Sequence, residues 1–379
     1  MKVLLNGTSV VIGGGLQAAT AFITATLADP RCNAWHYVLS AELARQLRSL
    51  GIGTESDAFT VIAPAPSRSH ASRRRLRDAA LQFAPDAVFT FFGPAYVRFP
   101  MRHLCGVADG WVTHSTALAF STLGSPVARL RMLLVCLYKA YWFRRADRWF
   151  VEAASARSGL SRRLGVPAEK VAIIANTCAA HYRAQASTRI VEWPPRHRLR
   201  ILLFAAYYPH KNLEIAPLVA ARLVNARPQL DFELVLTIAQ DSVPWREIHQ
   251  LASTLGVADR VVTMGPVDIR DGPALYASCD VLLHPSLLET FSATYPEAMA
   301  MGVPIVATDL DFAHDVCGDA ALYYAPRDAN EAAHRILCLV DDSALRARLV
   351  EAGTHRLATL PTASEKYERL LAWIQHAIE

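Results

Sequence analysis

The sequence is poor in several things, and each shortage closes off a class of protein. One of its longest uncharged apolar stretches, Met132–Tyr138, ends at Lys139. That is far short of the roughly 18–20 residues that cross a bilayer, so a multi-span membrane protein is excluded. Its cysteines (Cys32, Cys105, Cys136, Cys178, Cys279, Cys317 and Cys338) are odd in number and form no C-x-x-C pair. Neither a disulfide framework nor a zinc-binding spacing is indicated, and a reducing cytoplasm is the expected setting. Near the N-terminus, Val3-Leu4-Leu5 is broken by Asn6-Gly7-Thr8-Ser9 and again by Gly13-Gly14-Gly15, so no export signal is expected. Repeats of solenoid period and low-complexity tracts are lacking too. Lysine is scarce, at Lys2, Lys139, Lys170, Lys211 and Lys366 only, which makes each one worth inspecting.

The chain has 379 residues, 52% of them hydrophobic and 19% charged, with a mean hydropathy of +0.18. That length suggests two domains with real cores. Residues 1–176 carry 21 basic and 10 acidic side chains, a net +11, and the rest carry 18 and 24, a net −6. Two domains facing different partners fit this asymmetry, and a basic surface attracts phosphates.

Short apolar runs alternate with helical stretches throughout. Strands are predicted at Val3–Leu5, Trp35–Leu39, Phe59–Ala63, Ala87–Phe92, Arg148–Val151 and Val171–Ile174. In the second half they fall at Ile201–Ala205, Phe232–Thr237, Arg260–Met264, Val281–His284 and Pro304–Thr308. A glycine loop and then a helix from about Leu16 follow the first of them. The runs are continuous, as in parallel strands buried on both faces, and the alternation implies α/β lobes with doubly wound parallel sheets. The stretch Glu192-Trp193-Pro194-Pro195 reads as linker. The expected organisation is 1–176, a linker at 177–199, 200–360, and a terminal helix at 361–379. Two such lobes would place a ligand cleft outside the carboxyl ends of their sheets.

The richest segment is Pro285-Ser286-Leu287-Leu288-Glu289-Thr290-Phe291-Ser292-Ala293-Thr294-Tyr295-Pro296-Glu297-Ala298-Met299-Ala300-Met301-Gly302-Val303-Pro304. It follows one apolar strand and precedes another. Pro296 suits a first helical turn, so Glu289 lies in a loop and Glu297 near a helix start. Fixed carboxylates accept hydrogen bonds from pairs of sugar hydroxyls. Phe204-Ala205-Ala206-Tyr207-Tyr208-Pro209-His210-Lys211-Asn212 follows the first strand of the second half. A cation at a helix start is disfavoured unless an anion binds there, so Lys211 is a candidate for a diphosphate.

The Glu289–Pro304 segment resembles the E-x7-E signature of retaining family 4 glycosyltransferases (glycosyl transferases group 1), which have the GT-B fold of two Rossmann-like lobes with an interlobe cleft. Glu289, Phe291, Glu297, Ala298, Met299, Ala300, Gly302 and Pro304 match its usual form, and Thr290, Ser292, Ala293 and Thr294 depart from it. The resemblance implies that Glu297 takes the nucleotide ribose and Glu289 the transferred sugar. It gives the backbone N–H groups of Phe291, Ser292 and Ala293 the sugar and diphosphate, and Lys211 the diphosphate. The family's Arg five positions before that Lys is Ala206 here. It also implies that Gly13, Gly14 and Gly15 approach the donor, that His114 contacts the donor sugar, with Asp109 a weaker candidate, and that a final helix at about Ser364–Ala377 crosses back to the first lobe.

Three further features stand out in the sequence. Leu130, Leu133, Leu134, Leu137, Tyr138, Tyr141 and Trp142 recur at helical spacing and read as a core-facing stripe. Arg144 and Arg145 beside it, with Arg68, Arg73, Arg74, Arg75 and Arg77, suggest peripheral contact with anionic lipid or a lipid-diphosphate acceptor. Asp309-Leu310-Asp311 has a D-x-D form but reads as a loop, and no metal, cofactor or nucleic acid is expected. The implied activity moves a hexose, mannose-like, from a GDP- or UDP-linked donor to a hydroxyl of a bacterial envelope or O-antigen-type glycan, lipid-linked, at the inner face of the cytoplasmic membrane. The rivals are a GT-B sugar-nucleotide epimerase and a non-catalytic nucleotide-sugar-binding partner subunit.

Overall fold

The computed structural model describes residues 1–184 and 198–379. Of the expected linker, 185–197 lie outside the described residues. Within the rest of it, Ala180–Ala184 is helical.

The chain forms two compact units. The first holds β1 (Val3–Gly7), β2 (Trp35–Leu39), β3 (Phe59–Val61), β4 (Ala87–Thr90), β5 (Arg102–Gly106), β6 (Arg148–Val151) and β7 (Val171–Ile173). They make one parallel sheet in the order β3-β2-β1-β4-β5-β6-β7. Successive side chains of a strand point to opposite faces, and both faces are covered. Val3 and Leu5 enter one core with Phe22, Phe89 and Phe150. Leu4 enters another with Val38, Leu76 and Val88.

The second unit holds β8 (Leu199–Leu203), β9 (Phe232–Leu236), β10 (Val261–Thr263), β11 (Val281–His284), β12 (Ile305–Thr308) and β13 (Ala321–Tyr324). They are parallel in the order β10-β9-β8-β11-β12-β13. Ile201 and Leu203 share a core with Leu234, Leu283 and Ile336. Each sheet is thus doubly wound, and its order reverses beside its first strand, between β1 and β4 and between β8 and β11. A ligand binds α/β sheets at such switch points, outside the carboxyl ends of the strands.

Two strands escape the hydrophobic pattern. β5 opens on Arg102 and His103 and ends on Gly106, so no apolar run announces it. Gly106 is required: a Cβ there would lie 1.9 Å from the Phe91 carbonyl oxygen. β13 has only four residues, two of them half-exposed.

Thr116–Ser125 group with the second unit, a departure from the expected 1–176 boundary, while Ser364–Glu379 group with the first, the lobe to which the resemblance sends the final helix. Helix Ala363–Ile378 buries Leu370, Leu371 and Ile374 in the core of Val3 and Phe89. Its Lys366 Nζ lies 3.0 Å from Glu152 Oε1, with both side chains buried.

The stripe on helix Pro126–Phe143 is a clear correction. This helix buries Cys136 and Phe143, whereas Leu130, Leu133, Leu134, Leu137, Tyr138 and Tyr141 are exposed. The arginines beside it divide. Arg144 donates to the carbonyls of Leu164 and Arg163 at 2.8 and 3.0 Å, so it closes the end of helix Ala154–Leu164. Arg75 reaches the Val61 carbonyl at 3.2 Å. Arg68, Arg74 and Arg77 are exposed.

Candidate functional site

The site is assembled at the switch point of the second sheet. β8 leads through Phe204–Tyr208 into a 3-10 turn, Pro209–Lys211, which Asn212 ends in a left-handed conformation. β11 leads into Pro285–Ala293 and then helix Thr294–Ala300. The two loops are stitched together. Leu287 N–H donates to the His210 carbonyl at 2.7 Å, and Asn212 Nδ2 donates to the Pro285 carbonyl at 3.3 Å. Thr308 Oγ1, at the end of β12, donates to the Ser286 carbonyl at 2.6 Å.

This stitching brings Lys211 Nζ into an ion pair with Glu289 Oε1, side chains only 18% and 12% exposed. Burial alone would raise the Glu289 carboxyl, but the Lys211 charge, with His284 beside it, holds it below the ordinary carboxylate value. An ammonium has three N–H donors, so the pairing leaves Lys211 donors for phosphate oxygens. Ala206 is exposed and supplies no charge. Neighbouring Tyr207 donates to Glu214 Oε1 at 2.5 Å.

The sequence reading missed His284, the last residue of β11. Its Nε2 is 3.0 Å from Ser292 Oγ and 3.8 Å from Glu289 Oε1, and its Nδ1 is 3.0 Å from the Tyr295 hydroxyl. Burial, with Lys211 nearby, pushes its pKa down to about 4, so it is a neutral imidazole at pH 7 with both nitrogens engaged. The signal was a polar residue ending an otherwise apolar, fully buried strand.

Ser292 has φ of +62°, the left-handed region that favours glycine. It is one of the positions at which the segment departs from the signature it resembles. The His284 contact holds the Ser292 hydroxyl in that conformation. Phe291 is buried, and Ser292 and Ala293 are half-exposed. Their N–H groups precede the helix, where backbone donors suit anionic or hydroxyl oxygens.

Glu297 lies in the first turn of helix Thr294–Ala300 and is 8% exposed. Its Oε2 is 3.3 Å from the Tyr276 hydroxyl. Burial raises its carboxyl to about 7, against the opposing pull of Tyr276 and Tyr182. It therefore changes protonation near neutrality, and its ionised form offers two acceptor oxygens to vicinal hydroxyls.

The remaining expected residues belong to the first unit. Gly13, Gly14 and Gly15 open helix Gly13–Ala28, where a glycine loop and a start at Leu16 were expected. Gly13 has φ of +69°, and a Cβ on Gly13 or Gly14 would meet nothing within 4 Å. His114 ends the short helix Gly110–Thr113, its Nδ1 2.7 Å from Thr113 Oγ1. Asp109 caps that helix and pairs with Lys139 Nζ at 2.7 Å, a structural role. Asp309 contacts His314 Nε2 at 2.6 Å, and Asp311 opens helix Asp311–Cys317. Among the described residues, no cluster of three or more His, Cys, Asp or Glu side chains could hold a metal ion.

Residues 198–342, which hold Lys211, Glu289 and Glu297, match the family model described as Glycosyl transferases group 1. The chain is 27% identical over 197 residues to O-antigen chain mannosyltransferase B of Escherichia coli, covering 50% of each chain. It is 25% identical over 307 residues to the serotype-specific mannosyltransferase WbdA of Escherichia coli, covering 73% of this chain and 36% of that one. The matches thus span half, or about a third, of these relatives' lengths. Among solved structures, Anabaena Alr3699/HepE in complex with UDP and glucose superposes with a TM-score of 0.71 over 99% of both chains at 17% identity. The fold is GT-B.

Proposed function

We propose that this chain, whose residues 198–342 match the glycosyl transferases group 1 family model, is a glycosyltransferase that moves a hexose from a nucleoside diphosphate sugar to a glycan hydroxyl. The observation that carries the reading is the buried Lys211–Glu289 pair at the β8/β11 switch point, with Glu297 one helix start further along. An ammonium, a loop of backbone donors and two carboxylates make a strip suited to a diphosphate with a sugar on either side.

In this reading Lys211 neutralises the charge that grows on the leaving diphosphate, which lowers the barrier because the charge is greater in the transition state than in the bound donor. Glu289, kept ionised by Lys211, orients the hexose hydroxyls. Glu297 in its ionised form takes the ribose hydroxyls. The incoming glycan hydroxyl passes its proton to the leaving phosphate, and the new bond forms on the face the phosphate leaves, with retention at the anomeric carbon. A mannose-like hexose, a GDP- or UDP-linked donor and an envelope-type, lipid-linked acceptor are the finer parts of the proposal. The mannosyltransferase relatives support the sugar.

A thermal-shift screen with UDP, GDP, ADP and their hexose conjugates, followed by NMR of the product made with a glycan acceptor, tests the proposal. Stabilisation by one nucleotide and an α-linked product from an α-linked donor are expected. A donor converted to an isomeric sugar without acceptor would replace the reading with an epimerase. Binding without turnover across donors and acceptors would replace it with a binding subunit.

A further inference from the structure

Helix Pro126–Phe143 turns its hydrophobic face away from the protein. Val127 is 76% exposed and Leu130, Leu134 and Leu137 are each 58% exposed, with Tyr138 and Tyr141 exposed beside them. At 3.6 residues per turn these six side chains fall within an arc of about 100°, so they form one continuous apolar stripe. Monomeric soluble surfaces seldom present such a stripe without a use for it.

The surroundings point to one partner. The helix has no Asp or Glu and carries Arg129, Arg131 and Lys139. The Arg145 guanidinium lies over the Tyr141 ring at 4.5 Å. Arg73, from helix His70–Phe83, donates to the Tyr138 hydroxyl at 2.9 Å and faces the Trp142 ring at 5.8 Å. Thus cations frame an aliphatic strip whose edge is aromatic. Tyrosine and tryptophan suit a boundary that is apolar on one side and wet on the other, and arginine stems lie along apolar surface while their heads reach phosphate. A second copy of this chain docked on the same face would set these cations against like charge. No helix among the described residues is long and apolar enough to cross a membrane.

We propose that this face is an in-plane anchor that seats the first unit on an anionic lipid bilayer. Leu130, Leu134 and Leu137 enter the acyl boundary, and Arg131, Arg145 and Arg73 meet the lipid phosphates. The proposal is independent of the transferase reading, because lipid binding is measured without turnover.

The test is flotation of the full chain with vesicles of phosphatidylcholine alone and of phosphatidylcholine containing one third phosphatidylglycerol, at low and high salt. The expected result is flotation with the anionic vesicles only, weakened by salt. The exposed double variant Leu134→Glu/Leu137→Glu should float about tenfold less well with its melting curve unchanged. A second variant, Arg131→Ser/Arg145→Ser, should lose the salt-sensitive part of binding, which keeps the test decisive if the first fails to fold. The proposal is overturned if the wild type stays behind with anionic vesicles or if both variants float like the wild type. It is equally overturned if the wild type is a dimer that the Glu variant converts to a monomer.

Discussion

The two sheets have the same winding and reverse at the same place, yet their switch points are built from different chemistry. In the second unit the β8 and β11 loops deliver Lys211, Glu289 and His284, charged or polar groups that are nearly buried and tied to one another. In the first unit the β1 loop leads into Gly13–Gly15, exposed or half-exposed and without charge. The β4 end is pinned by Asn6 Nδ2 to Thr90 Oγ1 at 3.1 Å, and Ser9 Oγ reaches the Pro94 carbonyl at 2.7 Å. The same topology thus offers a position, and loop residues decide whether it holds a buried polar cluster or an open surface. The buried ion pairs differ in the same way. Lys211–Glu289 stands at the carboxyl end of a sheet, whereas Lys366–Glu152 fixes the terminal helix inside the first unit.

Substitutions can break this comparison at its strongest point first. Lys211→Ala should lower turnover at saturating donor roughly 100- to 1,000-fold, measured by product formation; near-normal turnover would remove Lys211 from the diphosphate. Lys366→Met leaves Glu152 buried without its partner and should cost about 3–5 kcal/mol of stability, read in a denaturant melt, with nucleotide affinity unchanged. If it instead impaired nucleotide binding, the division between structural and functional pairs would fail.

Glu297→Gln should weaken nucleoside diphosphate binding about tenfold, or 1.4 kcal/mol, by calorimetry at pH 8. Its pH dependence sharpens the point. The folded carboxyl titrates near 7, above its ordinary 4.5. Its contribution to stability is therefore complete below the unfolded value and lost as pH rises through about 7. Nucleotide affinity should run the opposite way, rising from pH 6 to pH 8 as the carboxylate forms. Glu297→Gln should flatten both trends, and a variant with unchanged slopes would assign them to another group. The smallest effect is expected at Ser292→Gly. Relief of the left-handed strain and loss of the His284 contact are each about 1 kcal/mol and opposed, so the melting temperature should move little. A large loss would show that the His284 contact dominates.

Much of the fold was legible because parallel strands buried on both faces write themselves as apolar runs. β5 was not, since Arg102, His103 and Gly106 interrupt the run and only the packing of Gly106 against Phe91 and Phe150 explains them. In the site, Lys211, Glu289 and Glu297 were legible from residue type and flanking motif. His284 was not, because a single histidine gains meaning only from what faces it.

The sequence by itself determined the strand–helix alternation, the two carboxylates eight residues apart and the lysine after β8, because these are facts of local spacing. The tertiary structure alone decided that Lys211 and Glu289 pair and that the stripe on Pro126–Phe143 faces outward. Helical periodicity says which side chains share a face. Which way that face turns depends on the neighbours that cover it, and those are brought there by residues distant in the chain.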